Sequence, residues 1–118
     1  MSKEHQHQKA VVKYLKLNGW LTISTDIMDG LKFLGNKQIM RLAFINHHKG
    51  QGYTKGQPDF IAVKDNRVLF VEMKSEKGKL SKEQKEIGDR LLKNGLEFVV
   101  IHDVLEMQQY LDDCLFRS

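Results

Sequence analysis

The stretch from Pro58 to Lys74, PDFIAVKDNRVLFVEMK, restricts the fold more than any other part of the chain. It holds two short apolar runs, Phe60–Val63 and Val68–Lys74, joined by Lys64-Asp65-Asn66-Arg67, a sequence suited to a tight hairpin turn. With Asp65-Asn66 as a two-residue turn, Lys64 faces Arg67 and the numbers of facing residues sum to 131. On that register Asp59 stands opposite Glu72, with Cβ atoms roughly 4.5–5.5 Å apart. One face of the pair then reads Asp59, Ile61, Val63, Val68, Phe70, Glu72 and Lys74, and the other Phe60, Ala62, Leu69, Val71 and Met73. Both faces are apolar, as expected of strands covered on both sides. The charged groups collect at one end of the hairpin.

Two facing carboxylates repel each other, and the cost grows as water is excluded, because unpaired charge is expensive to bury. A divalent cation removes the conflict and uses the oxygens of Asp59 and Glu72 as hard ligands. Lys74 lies two residues beyond Glu72 and projects from the same side of the strand. Met73 turns its side chain to the opposite face and leaves its carbonyl able to act as a further ligand. The plain alternative is a cluster of surface charges at strand ends, since a bare D…ExK pattern is common.

The flanking sequence supplies the remaining elements. Residues 3–18 read as a helix with Val11, Val12 and Leu15 on one stripe, extended by Gln8 and Glu4 and closed by Asn18-Gly19. Trp20 to Thr25 reads as a strand. Asp29-Gly30 and Gly35-Asn36 read as turns. The apolar run from Ile39 to Ile45 suits either helix or strand, and a helix over about 37–48 is the expectation. GQGYTKGQ, residues 50–57, reads as a loop. Residues 81–94 form a helix opened by the capping box Ser81-Lys82-Glu83-Gln84 and ended by Asn94-Gly95. A strand over 97–101 follows. Asp103 caps a last helix reaching about Leu115, with Glu106 three residues on. The order α-β-α-β-β-α-β-α predicts one α/β domain over residues 1–118, a mixed central sheet flanked by helices.

Composition narrows the setting. A 118-residue chain that is 41% hydrophobic suits one folded domain. The single cysteine, Cys114, excludes an internal disulfide and a cysteine zinc cluster, and reads as a small apolar residue. His5, His7, His47, His48 and His102 lack the spacing of a zinc motif and read as surface histidines. No run resembles a signal peptide or a membrane span, so a soluble cytoplasmic protein with no membrane partner is expected. Nineteen basic against fifteen acidic residues give a net charge of +4, which suits a polyanionic partner without establishing one.

GQPD (56–59) followed by VEMK (71–74) resembles the PD-(D/E)XK nuclease signature. More narrowly, Glu4 and Gln8 on the first helix, GYTKGQPD (52–59), EMK (72–74) and LSKEQ (80–84) resemble the VRR-NUC family, the virus-type replication-repair nucleases. The likeness spans about residues 4–101, and residues 26–48 do not align with the pattern. It implies a restriction-endonuclease-like fold and a Mg²⁺-dependent deoxyribonuclease, with Mn²⁺ able to substitute. Asp59, Glu72, the Met73 carbonyl and Glu4 would bind the metal, and Lys74 would act on the attacking water. Gln84 would reach the water shell or the scissile phosphate, although its capping box is a sufficient ordinary role. Lys49, Lys55, Lys77, Lys79, Lys82 and Gln8 would contact nucleic acid. The resemblance also implies a homodimer acting on branched DNA such as Holliday junctions, in a bacterial or phage-infected cell. Action on RNA shares the same chemistry, and a non-catalytic nucleic-acid-binding module that keeps the nuclease fold is the alternative from another class.

Overall fold

The computed structural model describes residues 3–25 and 37–117. Its elements are α1 (Lys3–Leu17), β1 (Leu21–Ser24), α2 (Gln38–Gly50), β2 (Phe60–Lys64), β3 (Arg67–Met73), α3 (Lys82–Lys93), β4 (Glu97–Ile101) and α4 (Val104–Arg117). This is the expected order. The ambiguous run after residue 37 is helical, and it carries on through Gly50, which the sequence places in the following loop. The turns expected at Asp29-Gly30 and Gly35-Asn36, and the side chains of His48 and Cys114, lie outside the described residues.

The four strands form one mixed sheet in the order β1-β2-β3-β4. Asp65 and Asn66 both take positive φ, 49° and 66°. Two consecutive left-handed residues match the right-handed twist of a hairpin, which is why short polar residues occupy this turn. The turn sets the register, and the sum of 131 holds from Lys64↔Arg67 to Phe60↔Val71. β1 adds antiparallel to β2, from Leu21↔Val63 to Ser24↔Phe60. β4 adds parallel to β3, from Leu69↔Glu97 to Met73↔Ile101, with α3 as the crossover that a parallel pair requires.

The core lies on one face of the sheet. Phe60, Ala62, Leu69, Val71, Met73 and Ile101 are buried there under Val11 and Leu15 of α1 and Met107 of α4, with Trp20 at the margin. The opposite face, also expected to be covered, is less sealed. Ile61, Val63, Val68 and Phe70 are only half-buried, and Leu21 and Ile23 of the edge strand are 60% and 47% exposed. On this face α3 rests on the β4 side of the sheet, where a Cβ on Gly88 would stand 2.5 Å from the Phe98 ring. The helix backbone therefore lies directly on an aromatic ring, an approach that needs glycine.

At the turn end of the hairpin, Arg67 donates from Nε and Nη2 to the Glu97 carboxylate at 2.7 and 2.9 Å. Tyr110 donates its hydroxyl to the same carboxylate at 2.6 Å, so β3, β4 and α4 are tied together. The Arg67 hydrogen bonds hold the Glu97 carboxyl below its ordinary range. Asp103 caps α4 as expected, accepting from the Glu106 amide at 2.9 Å. The reciprocal half of that box differs, because both Glu106 oxygens lie 3.0 Å from His102 Nδ1. His102 is thus half-buried and engaged rather than a plain surface histidine.

Candidate active site

The acidic residues meet at the end of the hairpin away from its turn. The ladder of facing residues stops at Phe60↔Val71, and the next step departs from the expected register. Asp59 donates its amide to the Val71 carbonyl at 3.0 Å, so Asp59 and Phe60 both lie against Val71. This is a β-bulge, which bends a strand and re-aims its side chains. Asp59 consequently does not sit squarely opposite Glu72. Its Oδ2 instead accepts from the Met73 amide at 2.7 Å, across the end of β3. The two carboxyl groups still lie close enough for the Asp59 charge to raise the Glu72 carboxyl.

Glu72 is the centre of the cluster. It is 2% exposed, and its Oε2 is buried without a hydrogen-bond donor. Oε1 accepts from Gln84 Nε2 at 2.9 Å and lies 3.8 Å from Lys74 Nζ. Burial first, and then the Asp59 charge, push the Glu72 carboxyl up from 4.5 to about 8, against the opposing pull of Lys74. A carboxylate with one orphaned oxygen, pressed against a second carboxyl, is costly to bury as it stands. The cost disappears if a divalent cation takes up the two acids, so this donor set fits a hard, oxygen-seeking metal. Lys74 is largely buried as well, its side chain 17% exposed.

Gln84 does two things at once. Its Oε1 accepts from the Ser81 amide at 2.8 Å, while its own amide donates to Ser81 Oγ at 3.1 Å, completing the expected capping box. Its Nε2 is then left to hold Glu72. The ordinary and the site readings of this residue are therefore compatible.

The other candidates are more dispersed. Glu4 is half-buried near the start of α1, and its charge is felt at Glu72. Among the described residues, however, no three histidine, cysteine or acidic side chains converge as a ready-made metal cage. Gln8 is half-buried one helical turn further along. Lys77 and Lys79 are exposed in the loop after β3, Lys82 in the first turn of α3, and Lys49 at the end of α2. Lys55 is exposed and lies 3.5 Å from Glu83. The loop carrying Lys55 packs closely on α3, since a Cβ on Gly56 would come within 2.5 Å of the Glu83 carbonyl carbon, at a φ of +87°. Sequence reasoning missed Thr25, which donates its amide to the Asp59 carbonyl at 3.0 Å and its hydroxyl to the Pro58 carbonyl. No local signal marks it, because its partners lie more than thirty residues away.

A four-stranded mixed sheet flanked by helices, with Asp59, Glu72 and Lys74 gathered at one end, makes this an α/β domain. The chain matches the family model of the VRR-NUC domain over residues 2–104 and belongs to that family. A solved structure described as a VRR_NUC domain superposes with a TM-score of 0.68 at 18% identity, covering 95% of this chain and 97% of that one. At that identity the likeness speaks for the fold. No curated protein sequence matches significantly. The family implies a nuclease-type, DNA-processing function. Among the described residues, no helix is long and apolar enough to cross a membrane.

Proposed function

We propose that this domain is a divalent-metal-dependent, structure-selective DNA endonuclease acting in the cytoplasm. The observation that carries the reading is the Glu72 carboxyl, buried with an orphaned oxygen between Asp59 and Lys74. Asp59 and Glu72 would hold Mg²⁺ or Mn²⁺, assisted by the Met73 carbonyl and by Glu4 directly or through water. Bound there, such a cation supplies charge neutralisation on the phosphate and a more acidic water.

The protein's own groups perform the remaining work. Gln84 fixes the Glu72 carboxylate through Oε1, leaving Oε2 buried without a donor. The Met73 amide fixes Asp59 in the same way. Lys74 brings a positive charge to the developing negative charge of the phosphoryl centre and orients, or helps to deprotonate, the attacking water. Lys49, Lys55, Lys77, Lys79 and Lys82, with Gln8, would steer and seat the sugar-phosphate backbone, which carries most non-specific affinity.

Branched DNA and a homodimer complete the reading. Two sites related by a two-fold axis suit paired cuts in two strands. Labelled four-way junction, flap, linear duplex and single-stranded DNA should be compared in Mg²⁺, beside sedimentation of the free protein. A dimer making paired nicks in junctions is the expected result. Equal cutting of all four substrates contradicts structure selectivity, and a monomer throughout the working concentration range contradicts the dimer.

A further inference from the structure

The loop that delivers Asp59 is held by a side chain that lies outside the acid–acid–lysine cluster. Gln57 donates from Nε2 to the Thr25 carbonyl at 2.7 Å and accepts at Oε1 from the Thr54 amide at 3.1 Å. Its own amide donates to the Thr54 carbonyl at 3.0 Å, closing a small turn. Thr25 in turn donates its hydroxyl to the Pro58 carbonyl and its amide to the Asp59 carbonyl. The other side of the loop is pressed on α3 through Gly56, next to the backbone amide of Gln84, the residue whose side-chain Nε2 donates to Glu72. Gln57 and Thr25 therefore lock the end of β1 to the two residues that place the Asp59 carboxylate.

We propose that Gln57 and Thr25 are positioning residues that set the affinity of the site for a divalent cation, by holding Asp59 in its bulged conformation. This rests on the reading of Asp59 as a metal ligand. Asp59 leaves the regular ladder with β3 one residue before β2, while the Thr25 amide carries the β1 register on to its carbonyl, so its place on the β3 side depends on the hold from β1. The Gln57–Thr25 contact spans 32 residues and makes up for that loss. Groups that orient a ligand in this way commonly matter about ten- to a hundredfold for metal binding.

The test is Mn²⁺ binding to the full chain by electron paramagnetic resonance, for wild type, Gln57→Met, Thr25→Val and Asp59→Asn, with thermal unfolding of each. Gln57→Met keeps the size and removes both hydrogen bonds, and Thr25→Val removes only the hydroxyl. Both are expected to bind Mn²⁺ about tenfold more weakly. Both should also regain the wild-type cleavage rate when Mn²⁺ is raised to saturation, because the reacting groups are intact. Wild-type affinity in both variants, with affinity lost in Asp59→Asn, overturns the clamp and leaves the site standing. Cleavage that stays low at saturating Mn²⁺ overturns it too. Equal Mn²⁺ binding by wild type and Asp59→Asn overturns the ligand role of Asp59, and the clamp with it. Should Gln57→Met fail to fold, Thr25→Val alone decides.

Discussion

Lys74→Ala is expected to cut DNA about a thousandfold more slowly than wild type at saturating metal while keeping its fold. Removing one preorganised positive or hydrogen-bonding group aimed at developing charge costs on the order of 10²–10³ in rate. Lys74 stands 3.8 Å from Glu72 Oε1 with most of its side chain out of water, so bulk solvent does not replace it cheaply. The loss should fall on the rate of the chemical step rather than on DNA affinity, since one ammonium among many lysines adds little to backbone binding. A second sign follows from electrostatics. Lys74 lowers the Glu72 pKa, so its removal should push that carboxyl still higher and move the onset of Mn²⁺ binding to higher pH. Single-turnover rates over a range of pH check both effects. An unchanged rate with unchanged metal binding means that Lys74 has no part in catalysis.

Glu72→Gln should separate stability from activity. The Glu72 carboxyl is raised from 4.5 to about 8 by burial and by Asp59, so the folded state keeps its proton after the unfolded chain has lost it. Its favourable balance is complete below pH 4.5 and is lost as pH rises through 8. Within that window this one group progressively weakens the metal-free protein as pH rises. Glutamine resembles the protonated acid, and its side-chain oxygen can still accept from Gln84. Metal-free Glu72→Gln is therefore expected to match wild type near pH 5 and to melt at a clearly higher temperature at pH 8. Added Mg²⁺ should raise the melting temperature of wild type and hardly move the variant, while DNA cleavage by the variant falls at least about a thousandfold, as for Lys74→Ala. Thermal unfolding at several pH values, with and without Mg²⁺, is the measurement. A variant less stable than wild type at pH 8 without metal contradicts the account of a strained, buried acid.

The parts of the site legible in sequence are those built by neighbours in the chain. Asp65-Asn66 between two apolar runs set the hairpin register because the turn needs two left-handed residues, and short polar side chains accept them. Ser81 and Gln84, three apart, opened α3 as a reciprocal cap. The capping geometry also placed Gln84 beside Glu72, since it occupied only one end of the side-chain amide. The bulge at Asp59 was not legible, because it depends on β1 lying beside β2 and on Thr25 reaching across from that strand. Gln57 and Gly56 stand in the GQPD motif, but their contacts with Thr25 and with α3 escaped for the same reason, as each acts on a segment distant in sequence. Alternation in β2 and β3 showed two apolar faces, yet it could not tell that α1 and α4 seal one while α3 covers only part of the other.

Whether the acids around Glu72 drive metal-dependent cleavage decides what this domain does. The most direct measurement is cutting of labelled four-way junction DNA with Mg²⁺, Mn²⁺ or EDTA, by wild type and Asp59→Ala side by side, with DNA binding measured for both. Cutting by wild type in either metal, none in EDTA, and none by Asp59→Ala although it still binds the DNA, is the expected result. Binding by both proteins with no cleavage of junction, flap, duplex or single strand in either metal would contradict it, and would make the domain a nucleic-acid-binding module on a nuclease fold.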